Sequence, residues 1–218
     1  MKIKTAYLIL KTDRSVDESA SKLRGYIASK FGYRILSNHS NGGFIYSYPR
    51  VQYKIIGGTP SILGIENGAR VLKDISDEID ELKLKNRYRV EQIIIYEQKF
   101  EIRETKKMIE YRFITPWLAL NQGSYKRYQE IRDWKERKEF LNRILVGNIL
   151  SMCKGLGIVV GKHLSSHTHL NVEKVEFKAI PMIGFTGKFR VNFAIPDFFG
   201  LGKGVSQGSG TVRRKGTG

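Results

Sequence analysis

The sequence has little cysteine, few acidic residues and no long apolar run, and each shortage excludes a class of protein. The single cysteine, Cys153, excludes an internal disulfide and any zinc site built on several cysteines. It lies in the apolar stretch ILSMC at 149–153, which predicts a buried side chain and not a nucleophile. The longest apolar runs, such as III at 93–95, are far shorter than the ~20 residues that span a bilayer. With no N-terminal signal pattern either, we expect a cytoplasmic protein that does not act at a membrane.

Positive charge is the strongest signal in the composition. Lys and Arg number 38 and Asp and Glu 21, a net charge of +17 in 218 residues. An excess of this size indicates a polyanionic partner, and nucleic acid is the simplest one. Apolar residues at 41%, with 11 Tyr and 11 Phe, are enough for a buried core and exclude a disordered chain. A basic protein without a specific partner remains the alternative.

The first half of the chain alternates strand and helix patterns. AYLIL at 6–10 predicts a strand, and Ser15 with Glu18 predicts a capping box for a helix from Ser15 to Phe31, which Gly32 ends. FIYSY at 44–48 and VQYKII at 51–56 then predict a hairpin, 67–79 a helix and 87–102 a long strand. The order strand, helix, two strands, helix, strand is typical of a ferredoxin-like unit.

The second half begins near Thr105 and is less regular. Strands are predicted at 108–114, 158–160, 172–180 and 185–194, with one long helix from Tyr125 to Met152. Because only one helix is clear, a second ferredoxin-like unit here would be degenerate.

The C-terminal segment FFGLGKGVSQGSGTVRR, at 198–214, is rich in glycine and in cations. Glycines let the backbone approach a phosphate closely and offer it N–H groups. A P-loop is excluded because Gly204 follows Lys203 where Ser or Thr is needed, and a dinucleotide fingerprint because no βαβ unit can follow in the remaining few residues. A flexible Gly/Ser tail is the alternative, against which Val205, Thr211 and Val212 argue.

The run from Gly200 to Val212 resembles the C-terminal glycine-rich loop of the CRISPR repeat-processing endoribonucleases, the sixth CRISPR-associated protein family. The length, the basicity and the ferredoxin-like first half are also similar. One departure is Ser209, where the family often carries an aromatic or apolar residue between the last two glycines. The resemblance implies an α+β fold of tandem ferredoxin-like (RRM-like) domains, at 1–104 and 105–218, the second degenerate. It implies these RNA-binding residues: Gly200, Gly202, Lys203, Gly204, Ser206, Gly208 and Gly210. Arg213 and Arg214, which have no adjacent acids, are further candidates for binding phosphate.

The resemblance also implies the reaction. Members of the family cut precursor CRISPR RNA once per repeat, without metal or another cofactor. The 2′-hydroxyl upstream of the cut attacks the phosphate and leaves a 2′,3′-cyclic phosphate and a 5′-hydroxyl. The expected partner is therefore CRISPR repeat RNA, with a CRISPR effector complex and a second copy of the chain as further candidates.

Such a reaction needs a base, an acid and a positive group near the phosphate. Histidine titrates near neutral pH, and the family places a histidine after its first helix, so His39 in the turn NHSNGG is the first catalytic candidate. The family often adds a tyrosine and a lysine. Tyr33 and Tyr46 flank His39, and Lys54 follows in the hairpin. An exposed loop histidine and structural tyrosines are the alternatives.

His163, His167 and His169, in HLSSHTH, form a second cluster. An ordinary polar loop, an RNA contact or a second catalytic histidine are each compatible with it, and a metal site is the least favoured because no cysteine or acidic motif adjoins it. At the level of the whole protein, two alternatives to an enzyme stay open. They are a non-catalytic RNA-binding subunit of a CRISPR effector complex and a basic adaptor without RNA specificity.

Overall fold

The computed structural model describes residues 1–37, 39, 40, 43, 44 and 48–216, with backbone alone at 39, 40, 43 and 44. Two compact units divide the chain. The N-terminal unit contains Lys2–Glu101 together with Ser206–Gly208, and the C-terminal unit contains Ile102–Val205 and the residues after Gly208. Among the described residues, no helix is long and apolar enough to cross a membrane.

The N-terminal unit packs three helices with an antiparallel sheet. Its elements, in chain order, are β1 (Lys2–Thr12), α1 (Ala20–Phe31), α2 (Arg34–Ser37), β2 (His39–Ser40), β3 (Gly43–Phe44), β4 (Val51–Ile56), β5 (Thr59–Ile65), α3 (Asn67–Ser76), β6 (Glu81–Lys83) and β7 (Arg87–Glu101). The sheet order is β4-β5-β1-β7-β6, and β2 pairs separately with β3. Leu8, Leu23, Ile27 and Leu72 belong to the core, so β1, α1 and α3 share one apolar cluster.

The predicted start of α1 is wrong. The helix begins at Ala20 and not at Ser15, and no side chain caps it. Glu18, the expected capping-box partner, instead accepts hydrogen bonds from the backbone N–H groups of Lys85 and Asn86, both at 2.7 Å. A tertiary contact therefore takes the carboxylate that the local pattern assigned to the helix. The predicted end at Gly32 is confirmed, since Gly32 caps the helix in the left-handed conformation.

The strand predicted at 44–48 lies largely outside the described residues, and the structure pairs 51–56 with a strand that the sequence did not suggest. β4 pairs with β5, which follows it, through a turn at Gly57 and Gly58, both with positive φ. Such a two-residue turn suits the twist of an antiparallel hairpin. Phe44 pairs instead with His39. β5 was missed because Pro60 and Gly64 are unfavourable in strands.

The C-terminal unit is a second antiparallel sheet with two helices. Its elements are β8 (Arg103–Trp117), α4 (Gln122–Glu130), α5 (Trp134–Leu156), β9 (Ser166–Phe177), β10 (Ile180–Ala194) and β11 (Val212–Arg214). The sheet order is β11-β8-β10-β9. Trp117 stacks on Phe113, with ring centroids 5.2 Å apart, in a core that also buries Cys153, as predicted. Burial raises the pKa of the Cys153 thiol to about 11, so it is not a nucleophile at neutral pH.

Three predictions for the second half need correction. The predicted long helix is two helices, because the chain between α4 and α5 is extended at Ile131 and Asp133. Asp133 accepts from the Glu136 N–H and caps the start of α5. Residues 158–160 form no strand, and β9 begins at Ser166, before the predicted residue 172.

The two units share a strand order. Strands are counted here along the chain within each main sheet, without β2 and β3. In both sheets the first strand lies between the third and the last: β1 lies between β5 and β7, and β8 lies between β10 and β11. In the C-terminal unit a glycine-rich loop, 198–211, stands between β10 and β11 where α3 stands in the N-terminal unit. The chain is thus an α+β protein with two antiparallel sheets, as predicted.

Candidate functional site

The end of α2, just before His39, is held by hydrogen bonds from two other elements. His39 begins β2, directly after α2 and opposite Phe44. The Tyr53 hydroxyl on β4 donates to the Leu36 carbonyl at 3.1 Å, and the Arg24 guanidinium on α1 donates to the Ser37 carbonyl. Tyr53 is fully buried. The segment that enters β2 is therefore fixed from both a strand and a helix.

Of the other predicted catalytic residues, the structure describes the side chains of Tyr33 and Lys54. Tyr33 lies between α1 and α2 and is 49% exposed. Tyr46 lies outside the described residues, as does the side chain of His39. Lys54 lies on β4, two strand positions beyond Gln52.

Lys54 is completely buried, which the sequence did not suggest. Its ammonium donates to the Gln52 Oε1 at 3.2 Å. Burial lowers the pKa of Lys54 from 10.5 to about 7. In this conformation the amine does not reach a surface where an RNA phosphate could contact it.

The glycine-rich loop is tied to the C-terminal unit by its backbone. Leu201 N–H donates to the Gly210 carbonyl at 2.9 Å, Lys203 N–H to Leu118 at 3.0 Å and Gly210 N–H to Pro116 at 2.8 Å. Phe199 and Leu201 are buried. The loop is thus an ordered part of the fold and not a flexible tail, and these N–H groups serve the protein and not a ligand.

The loop glycines are also required by close packing. At Gly210, with φ of +64°, an added Cβ would lie 2.0 Å from the Leu201 carbonyl oxygen. At Gly208, with φ of +87°, it would lie 2.9 Å from the Tyr53 carbonyl oxygen. Gly208 therefore seats the loop tip, Ser206–Gly208, against the strand that carries Tyr53 and Lys54.

Gly210→Ala is expected to destabilise the protein by about 1–3 kcal/mol from backbone strain alone, because alanine rarely adopts this φ and the Leu201 carbonyl must move. Gly147→Ala is the matched control. Gly147 lies in α5 with open space around its Cβ position, so this change should stabilise by about 0.5–1 kcal/mol. Thermal unfolding followed by circular dichroism measures both. Equal melting temperatures for the two variants would contradict the packing role of Gly210.

The loop's cations lie at its surface. The Lys203 ammonium is 5.5 Å from the Phe177 ring centroid, and the Arg213 guanidinium is 5.9 Å from that of Phe198. The Arg214 N–H donates to the Asp197 carboxylate at 2.7 Å, which ties the end of β11 to the residue that precedes the loop. Lys203 and Arg214 are exposed and Arg213 half-buried. A phosphate could therefore approach Lys203 and Arg214.

The second histidine cluster lies partly on a strand. The polar-loop alternative had placed it in a loop. His167 and His169 lie on β9 with exposed side chains that point to the same face of the sheet, and His163 precedes the strand. Among the described residues, no group of three His, Cys, Asp or Glu is placed to hold a metal ion.

Comparison with known proteins decides the family. A sequence model of the Cas6b C-terminal domain matches residues 103–215, and one of the Cas6b N-terminal domain matches residues 1–101. The chain belongs to the Cas6b family. The resemblance to CRISPR repeat-processing endoribonucleases that the glycine-rich loop suggested is thereby confirmed.

Solved and curated relatives agree with this assignment. A crystal structure of Cas6b is 35% identical, with a TM-score of 0.88, over 98% of this chain and 100% of that one. A structure described as CRISPR RNA processing endoribonuclease Cas6b is 33% identical, with a TM-score of 0.81, over 98% of this chain and 100% of that one. An uncharacterized protein of Methanocaldococcus jannaschii is 44% identical over 139 residues, which are 62% of this chain and 93% of the relative.

Sequence reasoning missed supporting residues within this Cas6b fold. Arg24 and Tyr53, which hold the segment before His39, were not singled out, and neither were the outward cations Arg112, Lys188 and Arg190 of the second sheet. Period-two alternation in KFRVN at 188–192 was a usable signal for the last two, because it separates an exposed charged face from a buried apolar one.

Proposed function

We propose that the chain is a metal-independent endoribonuclease that cuts precursor CRISPR RNA within its repeats. The observation that carries the proposal is the match of both halves to Cas6b domains, together with 33% identity over almost the whole chain to a CRISPR RNA processing endoribonuclease. The net charge of +17 supports an RNA substrate.

The proposed reaction is an internal phosphoryl transfer. His39 removes the proton of the 2′-hydroxyl, whose oxygen forms a bond to the adjacent phosphorus. The bond from phosphorus to the 5′ oxygen of the next nucleotide breaks, and that oxygen receives a proton. The products are a 2′,3′-cyclic phosphate and a 5′-hydroxyl, so no water is consumed. Tyr46 and Tyr33, which flank His39 in sequence, are the candidates for the acid.

Phosphates of the bound RNA are assigned to the glycine-rich loop and its flanks. Lys203 and Arg214 are exposed, and Ser206 and Gly208 belong to the loop tip. Lys54, being buried, is assigned a supporting position beneath that tip instead of a direct phosphate contact.

The fold proposed for this activity is a tandem of ferredoxin-like domains. The shared strand order of the two sheets supports it, with the glycine-rich loop replacing the second helix of the C-terminal domain. A boundary near residue 104 is consistent with the compact units, which part between Glu101 and Ile102. CRISPR repeat RNA is the proposed partner, with an effector complex as a further one.

The first test is cleavage of repeat RNA in excess EDTA. We expect one cut per repeat at an unchanged rate, with a 3′ fragment that bears a 5′-hydroxyl and a 5′ fragment that ends in a cyclic phosphate. Kinase labelling of the 3′ fragment and mass measurement of the 5′ fragment identify these ends. Loss of cleavage in EDTA with recovery in Mg²⁺ refutes the metal-independent reaction. Tight binding without a cut indicates a non-catalytic RNA-binding subunit.

A further inference from the structure

A row of basic side chains crosses the outward face of the C-terminal sheet. The register places Arg213 of β11 opposite Arg112 of β8, Arg112 opposite Lys188 of β10, and Lys188 opposite His169 of β9. Neighbouring strands lie ~4.8 Å apart, so the row runs about 14 Å across all four strands. We call these four residues the basic row.

A second line of side chains lies beside the basic row. Arg190 is opposite Glu110 on one side and His167 on the other. The Lys215 ammonium lies 3.1 Å from the Glu110 Oε1, and this ion pair is the main cause that lowers the pKa of Glu110. Glu110 is the one carboxylate among the described residues that line the two shallow pockets on this face. Because Lys215 already neutralises it, the face stays strongly positive.

The fold does not require these cations. Arg112 and Lys188 are exposed, whereas their neighbours Tyr111, Phe113 and Phe189 turn inward and form the aromatic core. Like charges directly opposite each other on a sheet destabilise it. Arg112 and Lys188, directly opposite each other on adjacent strands, therefore carry a cost that a bound polyanion would offset.

We infer that the basic row is a second RNA-binding surface, one that holds the phosphate backbone of the substrate away from the reacting bond. The inference rests on the proposed function for the identity of the polyanion. Continuity supports RNA as the occupant, since Arg213 lies on β11, directly after the glycine-rich loop assigned to RNA. The row carries no Phe, Tyr or Trp side chain on which a base could stack. It therefore adds affinity without reading sequence.

The test is the double variant Arg112→Gln/Lys188→Gln, which removes two adjacent cations of the row and leaves the loop and His39 unchanged. Its control is Lys11→Gln/Lys154→Gln, which removes the same charge from exposed lysines on β1 and α5. Binding is measured across a salt series with repeat RNA that carries a 2′-deoxy nucleotide at the cut, so that no cleavage intervenes, and with a scrambled RNA of equal length.

For the row variant we expect the negative slope of log K against log salt to become shallower by ~1.4, because each phosphate contact to a single strand contributes about −0.7 to the slope. This corresponds to a roughly tenfold weaker association near ~0.15 M salt, equal for repeat and scrambled RNA. The single-turnover cleavage rate at saturating RNA should stay unchanged. Wild-type affinity and slope in the row variant, or the same loss in the control variant, overturns the inference. A wild-type protein that binds but never cuts refutes the proposed function alone, because the binding comparison does not depend on cleavage.

Discussion

His39→Ala is expected to slow cleavage of repeat RNA at saturation by about 10²- to 10⁴-fold, the usual contribution of a positioned general acid or base. Binding of the uncut RNA should change by less than about threefold, since the proposal gives the imidazole a proton to move and not a phosphate to hold. The Tyr53 and Arg24 hydrogen bonds hold Leu36 and Ser37 without using the His39 side chain, so the truncation should leave the end of α2 in place. Single-turnover rates with wild-type and variant protein measure the effect.

Two controls separate chemistry from structure in this variant. His163→Ala removes an exposed histidine from the C-terminal unit and should cut at the wild-type rate. Free imidazole added to His39→Ala should restore part of the rate, because a small diffusing base can occupy the space of the lost side chain. Full activity of His39→Ala would move the search to His167 and His169. A loss that imidazole does not rescue, together with a lower melting temperature, would assign His39 a structural role.

The sequence was most informative about features that lie within a single helix or strand, such as its bounds and its buried face. The apolar spacing of Leu23 and Ile27 predicted α1 and its buried face, and Gly32 predicted its end. The alternating run at 87–102 predicted β7 almost to its ends. These features depend on neighbours within a few residues, so residue propensity and hydrophobic periodicity are enough to predict them.

The failures share a dependence on contacts between distant residues. Glu18 was assigned to a capping box, but its carboxylate binds the N–H groups of Lys85 and Asn86, 67 and 68 residues away. The basic row was invisible because Arg112, Lys188 and Arg213 meet only through strand register, which a single sequence does not state. The glycine-rich loop shows both cases. Its composition predicted proximity to phosphate. In the structure, however, several of its backbone N–H groups donate to carbonyl groups of the protein itself.

Lys54 is the clearest residue whose environment the sequence conceals. In the strand VQYKII, Val51 and Tyr53 pack into the core that α1 shares, and Gln52 and Lys54 alternate to the opposite face. Alternation predicts that such a face is solvated and suits a lysine. In the structure it is buried, with the loop tip at Gly208 adjacent to the Lys54 backbone.

Lys54→Met is expected to stabilise the protein, by an amount that depends on pH. The pKa of Lys54 falls from 10.5 to about 7 on folding, so between these values the unfolded chain holds a proton that the folded one does not. Stability of the wild type should therefore rise with pH across this window. At and below pH ~7 nearly the full cost applies, about 5 kcal/mol at about 1.36 kcal/mol per pKa unit, less about 1 kcal/mol for the lost hydrogen bond from Lys54 to Gln52. The gain in the variant should vanish near pH 10.5.

Chemical denaturation of Lys54→Met and wild type at several pH values between 6 and about 10.5 tests this, with Lys11→Met on the exposed face of β1 as the control that should show no such pH trend. A variant that is less stable than wild type at pH 7 would mean that Lys54 has an anionic partner, and the burial account would be wrong.

Cleavage by the same variant decides why the chain carries the residue. A more stable protein that cuts at the wild-type rate leaves Lys54 without a role in the reaction. A more stable protein that cuts slowly places the buried amine in the reaction path, because a cost in folding is then offset by a gain in function.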